Sequence, residues 1–307
     1  MTLLDALTTA RITGPSVVTI GTFDGVHLGH QHLVQTVARQ ARERKAIALV
    51  LTFQPRPIEI LKPETPSSYL CSLETRIRLL RQAGADVVVP VTFTRELSLM
   101  SAFDFAHVLV KYANMCMLVG GPDLAIGHGR QGTPEVLREI GSRLHFEVMV
   151  VPVHDIDGEP VRSRAVRRAI TDGEVRRAAK LLGRNYALDG VVVHGDGRGR
   201  TIGVPTANVA VEDRLTLPGD GIYAVYFHFG GQRWPAAASI GVRPTFNGTG
   251  RSLEVHLLDF DGDLYGRRCE VEFVERLRPE ERFESVEDLV RQIQQDIQLT
   301  REILRDR

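Results

Sequence analysis

Two kinds of hydrophobic patterning follow one another along this chain, and the change between them near residue 185 constrains the fold more than any other feature. Up to that point, short apolar and β-branched runs alternate with stretches of helical spacing. Strands are expected at 16–20, 46–53, 87–91, 116–119 and 147–153. Helices are expected at 29–45, 73–83, 102–112, 134–144 and 166–182. Buried strands separated by helices predict a parallel sheet with crossover helices. From Tyr186 onward the segments become short, alternating and punctuated by glycine, at 187–194, 221–229, 236–240, 253–260 and 268–273. That pattern predicts a small all-β barrel. A final helix is expected at 285–304, where Leu289, Ile293, Ile297 and Leu304 recur at helical spacing. The reading is α/β plus all-β, with domains at 1–184 and 185–307. A length of 307 residues suits two domains.

Composition narrows the partners. Lys+Arg and Asp+Glu both number 38, so no basic surplus points to nucleic acid or to a membrane surface. No apolar run is long enough to span a bilayer. Cys71, Cys116 and Cys269 are odd in number and far apart, which argues against a disulfide framework or a zinc knuckle. Met1 to Pro15 lacks a basic stretch followed by an apolar core, so no secretory leader is expected. A reducing cytoplasm is the expected compartment, with small molecules as partners. Oligomeric state is not legible.

The first expected strand runs into Gly21-Thr22-Phe23-Asp24-Gly25-Val26-His27-Leu28-Gly29-His30. Glycines at 21, 25 and 29 let backbone amides approach phosphates, and the following helix aims its positive end at the same place. His27 and His30 are three residues apart, so both imidazoles can sit at the helix mouth and donate hydrogen bonds to a triphosphate. Such chemistry needs positioning and charge stabilisation more than a nucleophile.

This segment resembles the nucleotidylyltransferase superfamily, and its longer form resembles the adenylyltransferase half of bifunctional bacterial riboflavin kinase/FAD synthetases. The resemblance implies a Rossmann-like domain with a nucleotide site at Gly21, Phe23, Asp24, Gly25, Gly29 and the two histidines. Two further family segments are altered. The family's G-x-D-F-x-F-G stands here as Gly121-Pro122-Asp123-Leu124-Ala125-Ile126-Gly127. Asp123 is kept for nucleotide, while Leu124 and Ile126 replace two aromatic residues at the flavin. The family's I-S-S-T-x-I-R stands as Val161-Arg162-Ser163-Arg164-Ala165-Val166-Arg167. Ser163 and Arg167 match; Arg162 and Arg164 replace hydroxyl residues. Arg56 stands where T-F-x-P-H-P has histidine.

A second glycine-rich loop opens the all-β part, with Gly195, Gly197, Gly199 and Gly203 ahead of Pro205-Thr206-Ala207-Asn208. It lacks the G-K-[ST] ending of a P-loop. In an extended segment Thr206 and Asn208 project on one face. A hydroxyl and an amide oxygen placed so suit a hard Mg²⁺ ion that also holds ATP phosphates. Downstream, Glu254 and His256 alternate with Val255 and Leu257 and so share a strand face.

G-x-P-T-A-N resembles the signature of riboflavin kinases, and Glu254-Val255-His256-Leu257-Leu258-Asp259-Phe260 resembles the family segment E-x-H-L-L-D-F. The resemblance implies Thr206 and Asn208 as metal and phosphate ligands and Glu254 as the base. It implies Gly195, Gly199, Arg200, Gly203 and Pro205 around the nucleotide, and Arg278 and Phe283 near the flavin. The family reading is a bifunctional enzyme using ATP, Mg²⁺ and riboflavin to make FMN and then FAD. Two alternatives stay open: a riboflavin kinase whose first domain only binds nucleotide, and a flavin sensor without turnover.

Overall fold

In the computed structural model, residues 2–65, 67–156, 158–195, 199, 203–245 and 248–305 are described. The chain packs as two units. One comprises Met1–Ser67 and Leu73–Arg162; the other comprises Ser68–Ser72 and Ser163–Arg307.

The first unit is built on five parallel strands: β1 (Ser16–Gly21), β2 (Ile47–Phe53), β3 (Val87–Val91), β4 (Met115–Gly120) and β5 (Glu147–Val150). Their order is β3-β2-β1-β4-β5. Alternate residues on each strand feed opposite faces. Val17, Ala48, Met117 and Val119 pack with Val37 and Ala41 of helix α2 (Leu28–Arg44). Val18, Leu49, Leu51 and Leu118 pack with α1 (Leu3–Ala10), α6 (Ala102–Ala113) and α7 (Pro134–Leu144), after the short α3 (Pro57–Leu61), α4 (Leu73–Gln82) and α5 (Arg95–Ser98). Burial on both faces explains why these strands read as continuous apolar runs. The strand order reverses between β1 and β4. In open α/β sheets, that switch point at the carboxyl ends of the strands is where ligands bind. The loops after β1 and β4 carry Gly21–His30 and Gly121–Gly127, so both motifs stand there. A small hairpin, β6 (Asp155–Ile156) with β7 (Glu159–Pro160), follows β5.

The second unit is a closed six-stranded barrel in the order β10-β11-β12-β9-β8-β13. The strands are β8 (Tyr186–Val193), β9 (Ala207–Val211), β10 (Gly221–Phe229), β11 (Gln232–Thr245), β12 (Gly248–Leu257) and β13 (Arg268–Arg278). Tyr223, Val225, Phe227, Val255, Val271 and Phe273 are fully buried. The Tyr223 and Phe273 rings meet edge to face at 5.4 Å. Helix α10 (Val286–Leu304) covers the outer apolar residues Ala224, Tyr226 and Val274 with Leu304. Ser285 caps it, its hydroxyl accepting from the Asp288 amide.

Besides β9, which is not among the five barrel segments expected, three features depart from the sequence-based expectations. The single helix expected at 166–182 is two helices, α8 (Ser163–Thr171) and α9 (Val175–Leu182). Gly173 takes φ +77°, and the Glu174 amide closes back on the Ala169 carbonyl, so α8 ends in a left-handed turn that glycine makes cheaply. Both helices pack within the unit that contains the barrel, where Arg276 reaches the Asp172 carbonyl. The unit boundary in the packing falls at Arg162/Ser163, upstream of the 184/185 division expected from the change in patterning. Finally, Ser68–Ser72 joins the barrel unit: the Tyr69 amide donates to the Arg214 carbonyl and the Thr216 amide to the Tyr69 carbonyl.

Candidate functional site

The barrel unit gathers its sequence motifs around one cavity of about 480 Å³. Strand β12 pairs antiparallel with β9, and this register sets Glu254 directly opposite Asn208. The Thr206 hydroxyl donates to Glu254 Oε2 at 3.2 Å. Thr206, Glu254 and His256 line the cavity together with Gly199, Arg278 and Phe283. Glycine is required here for close approach. A Cβ on Gly195 would strike the Asn208 side chain, and one on Gly199 would strike the Val204 carbonyl. Gly203 is exposed with φ +77°. Arg200 lies outside the described residues, as do Asp196, Gly197, Arg198, Thr201 and Ile202.

The far wall of the cavity comes from the C-terminal segment. Arg278 forms a bidentate ion pair with Asp296 of α10, Nη2 to Oδ2 at 2.8 Å and Nε to Oδ1 at 3.1 Å. Its guanidinium also stands 5.7 Å from the Phe283 ring centroid. Leu289, Ile293 and Ile297 of α10 supply apolar surface, and Ser239, Glu280 and Glu281 supply polar edges. A chamber lined by apolar and polar side chains together suits a fused aromatic ring that carries a polar chain. Helical spacing marks Leu289, Ile293 and Ile297 in the sequence without marking a site, and no local signal marks Ser239, Glu281 or Asp296.

The first unit holds the other constellation. His27 is the N-cap of α2, and its Nδ1 accepts from the His30 amide at 3.3 Å. Its proton is therefore on Nε2 when the ring is neutral. The His27 and His30 rings stack at 3.6 Å. Phe23 is only 2% exposed and meets His30 edge to face at 5.2 Å, so its ring supports the loop from the core side. Gly21 packs against the Phe23 ring, Gly25 takes φ +76°, and Gly29 lies against the His27 ring.

Two arginines, Arg56 mostly and Arg76 fully buried, underlie this loop. Arg56 pairs with Asp24 at 3.5 Å and with Glu59 at 3.3 Å, and also donates to Ser67. Asp24 is 1% exposed, so a fixed guanidinium keeps its charge compensated. Arg76 is fully buried and donates to the Phe53 carbonyl at 3.1 Å and to Gln54 Oε1 at 3.1 Å. No local sequence signal marked Arg76, because its partners come from another strand.

Burial lowers the affinity of His30 for a proton well below the usual histidine range. The positive charges of His27 and Arg76 lower it further. His30 is thus a neutral imidazole at pH 7. Below pH 6.5 the unfolded chain takes up a proton at this ring that the folded chain refuses. The contribution to stability is complete above 6.5 and declines as pH falls beneath it. His30→Gln should flatten that decline in urea denaturation followed between about pH 7.5 and about pH 5.5. Equal declines in the two proteins would contradict the coupling.

The remaining expected residues fall elsewhere. The Asp123 carbonyl accepts from Arg130 at 2.9 Å. Leu124 and Ile126 are each 8% exposed and pack into the core beside Leu118, so little of either is left to touch a ligand. The physical cause is the tight turn after β4, which folds both side chains back over the sheet. Ser163 and Arg167 lie on α8, in the unit of the barrel and not in that of His27 and His30.

A doubly wound sheet with H-x-G-H at its switch point, and a closed barrel with Thr206, Asn208 and Glu254 on paired strands, define a two-unit protein built to handle nucleotides. Comparison with known proteins agrees. A family model described as FAD synthetase matches residues 9–165, and one described as riboflavin kinase matches residues 182–304. The bifunctional riboflavin kinase/FMN adenylyltransferase of Escherichia coli K12 is 39% identical over 288 residues, covering 93% of this chain and 92% of the relative. That of Bacillus subtilis 168 is 34% identical over 287 residues, covering 92% and 90%. The chain belongs to the bifunctional riboflavin kinase/FMN adenylyltransferase family. A crystal structure described as a macrolide-efflux protein from Streptococcus pneumoniae superposes with TM-score 0.90 at 34% identity, covering 96% of each chain. Among the described residues here, no helix is long and apolar enough to cross a membrane.

Proposed function

We propose that this protein phosphorylates riboflavin to FMN with ATP in its barrel and transfers AMP from a second ATP to FMN in its α/β unit, releasing pyrophosphate. The observation that carries the kinase reading is that Thr206 and Glu254, bonded to each other, line the cavity while the strand register sets Asn208 opposite Glu254. Glu254 would orient the ribityl 5′-hydroxyl and take its proton as oxygen attacks the γ-phosphorus. Arg278 and Phe283 would hold the isoalloxazine. The Gly195–Gly203 loop, including Arg200, and Pro205 would follow the phosphates. The Thr206 hydroxyl and the Asn208 amide are hard oxygen donors two residues apart at the start of β9, so they fit Mg²⁺. Bound there with nucleotide, Mg²⁺ supplies neutralisation of phosphoryl charge.

In the α/β unit, the α2 N-terminus and the Gly21–Gly29 loop would cradle the triphosphate. His27 Nε2–H and neutral His30 would donate to it as charge moves onto pyrophosphate. Asp24, held by Arg56, would keep the loop in shape. Asp123 would complete the nucleotide contacts within this unit. Leu124 and Ile126 would offer FMN at most an aliphatic edge. The functional division follows 1–184 and 185–307. Three free cysteines suit a cytoplasmic location.

The test is direct. Purified protein given riboflavin, ATP and Mg²⁺ should yield FMN and then FAD when products are resolved by chromatography. FMN accumulating alone would remove the adenylyl-transfer half. Tight flavin binding with neither product would replace the whole reading with a sensor.

A further inference from the structure

His256 shares the cavity-facing side of β12 with Glu254, and the reaction as described gives it no part. Its surroundings do. The β9–β12 ladder comprises Leu253 with Val209, Glu254 with Asn208 and Val255 with Ala207, and there it ends. The next residues toward the glycine loop are Thr206 and Pro205. Pro205 has no N–H, so the backbone offers no donor there to extend the ladder. The His256 imidazole takes over: its Nδ1 lies 2.8 Å from the Pro205 carbonyl. A carbonyl can only accept, so the contact selects the ring form that carries the proton on Nδ1. Thr206, the residue between this contact and the ladder, donates to Glu254 Oε2 at 3.2 Å. The segment Pro205–Asn208 is therefore fastened at three successive points, and His256 makes the outermost one.

We propose that His256 is a positioning residue for the kinase reaction: by holding the Pro205 carbonyl through Nδ1–H, it sets Thr206 against Glu254 where the chain peels away from the sheet. The inference rests on the kinase reading of this cavity. Its effect runs through Thr206, the nucleotide and metal side of the site, and not through the flavin wall made by Arg278 and Phe283.

Asparagine and glutamine separate the two ring nitrogens. Asparagine places an amide N–H close to the position of Nδ1, and glutamine places one close to that of Nε2. Riboflavin phosphorylation would be measured in the full chain for His256→Ala, His256→Asn and His256→Gln, varying ATP and riboflavin separately. Loss of one hydrogen bond from a ligand-holding segment corresponds to about a tenfold rise in the KM for ATP. His256→Ala should show that rise with the KM for riboflavin within about twofold. His256→Asn should recover most of it, and His256→Gln should not. FAD formation from supplied FMN, carried by the other unit, should be the same in all three and reports that the chain is folded. An unchanged KM for ATP in His256→Ala, or equal recovery by asparagine and glutamine, would overturn the assignment while leaving the kinase intact. Wild-type protein that makes no FMN would overturn the kinase reading itself, and this inference with it.

Discussion

Glu254→Gln should lower the rate of FMN formation by about 10²–10⁴-fold, the range that a well-placed general base contributes. Glutamine keeps the length of the side chain and one oxygen, so the Thr206 hydroxyl retains an acceptor in place of Glu254 Oε2. The β9–β12 ladder on which it stands is backbone-made and is unaffected. What disappears is the capacity to accept a proton from the attacking hydroxyl. ATP should bind the variant as before, since Thr206, Asn208 and the glycine loop are untouched. The measurement is steady-state FMN formation, with adenylylation of added FMN in the same sample as a control. Near-normal FMN formation would exclude Glu254 as the base and leave positioning alone to account for the reaction.

His27→Ala and His30→Ala should each lower FAD formation from FMN and ATP by about 10²–10³-fold, the cost of removing one preorganised donor to developing charge. Riboflavin phosphorylation should stay at the wild-type rate. The two variants differ in their structural side effects. His30 lies inside the first turn of α2, where alanine is well tolerated. His27 caps that helix through Nδ1, so His27→Ala also loses a cap, which costs about 1 kcal/mol. His27→Asn separates the two roles, because asparagine is a good N-cap that cannot extend a donor as far as Nε2. It should recover thermal stability without recovering pyrophosphate release. Recovery of activity as well would mean that His27 serves the helix and not the phosphates. A parallel fall in both activities in a folded variant would break the two-site division.

Local signals account for what the sequence disclosed. The apolar runs of β1, β2 and β4 are buried on both faces, and such runs are readable without knowing their neighbours. The H-x-G-H segment follows a strand and opens a helix, so sequence order alone puts both histidines at one helix end. Alternation along β12 put Glu254 and His256 on one face, and the structure keeps them there, with Val255 and Leu257 turned to the core. Non-local pairing accounts for what it withheld. The opposition of Glu254 and Asn208 is a matter of register between strands 46 positions apart in sequence. Arg76 draws its partners from the end of β2. Leu124 and Ile126 occupy motif positions whose spacing says nothing about which way a tight turn will aim them; packing turned both into the core.

The sequence by itself determined the two fold classes, the glycine loops and which side chains are candidates for the chemistry, because each depends on periodicity or on residues within a few positions of one another. Only the tertiary structure decided what those side chains face. It brought α10 and Asp296 behind Arg278 to complete a chamber, and it broke the helix expected at 166–182 at Gly173. It also ended the β9 ladder at Ala207, leaving an imidazole to hold Pro205. The physical reason is the same throughout: closing a barrel pairs β-strands distant in sequence through backbone hydrogen bonds that carry no side-chain label, so the neighbours of a residue follow from register and not from its own chemistry.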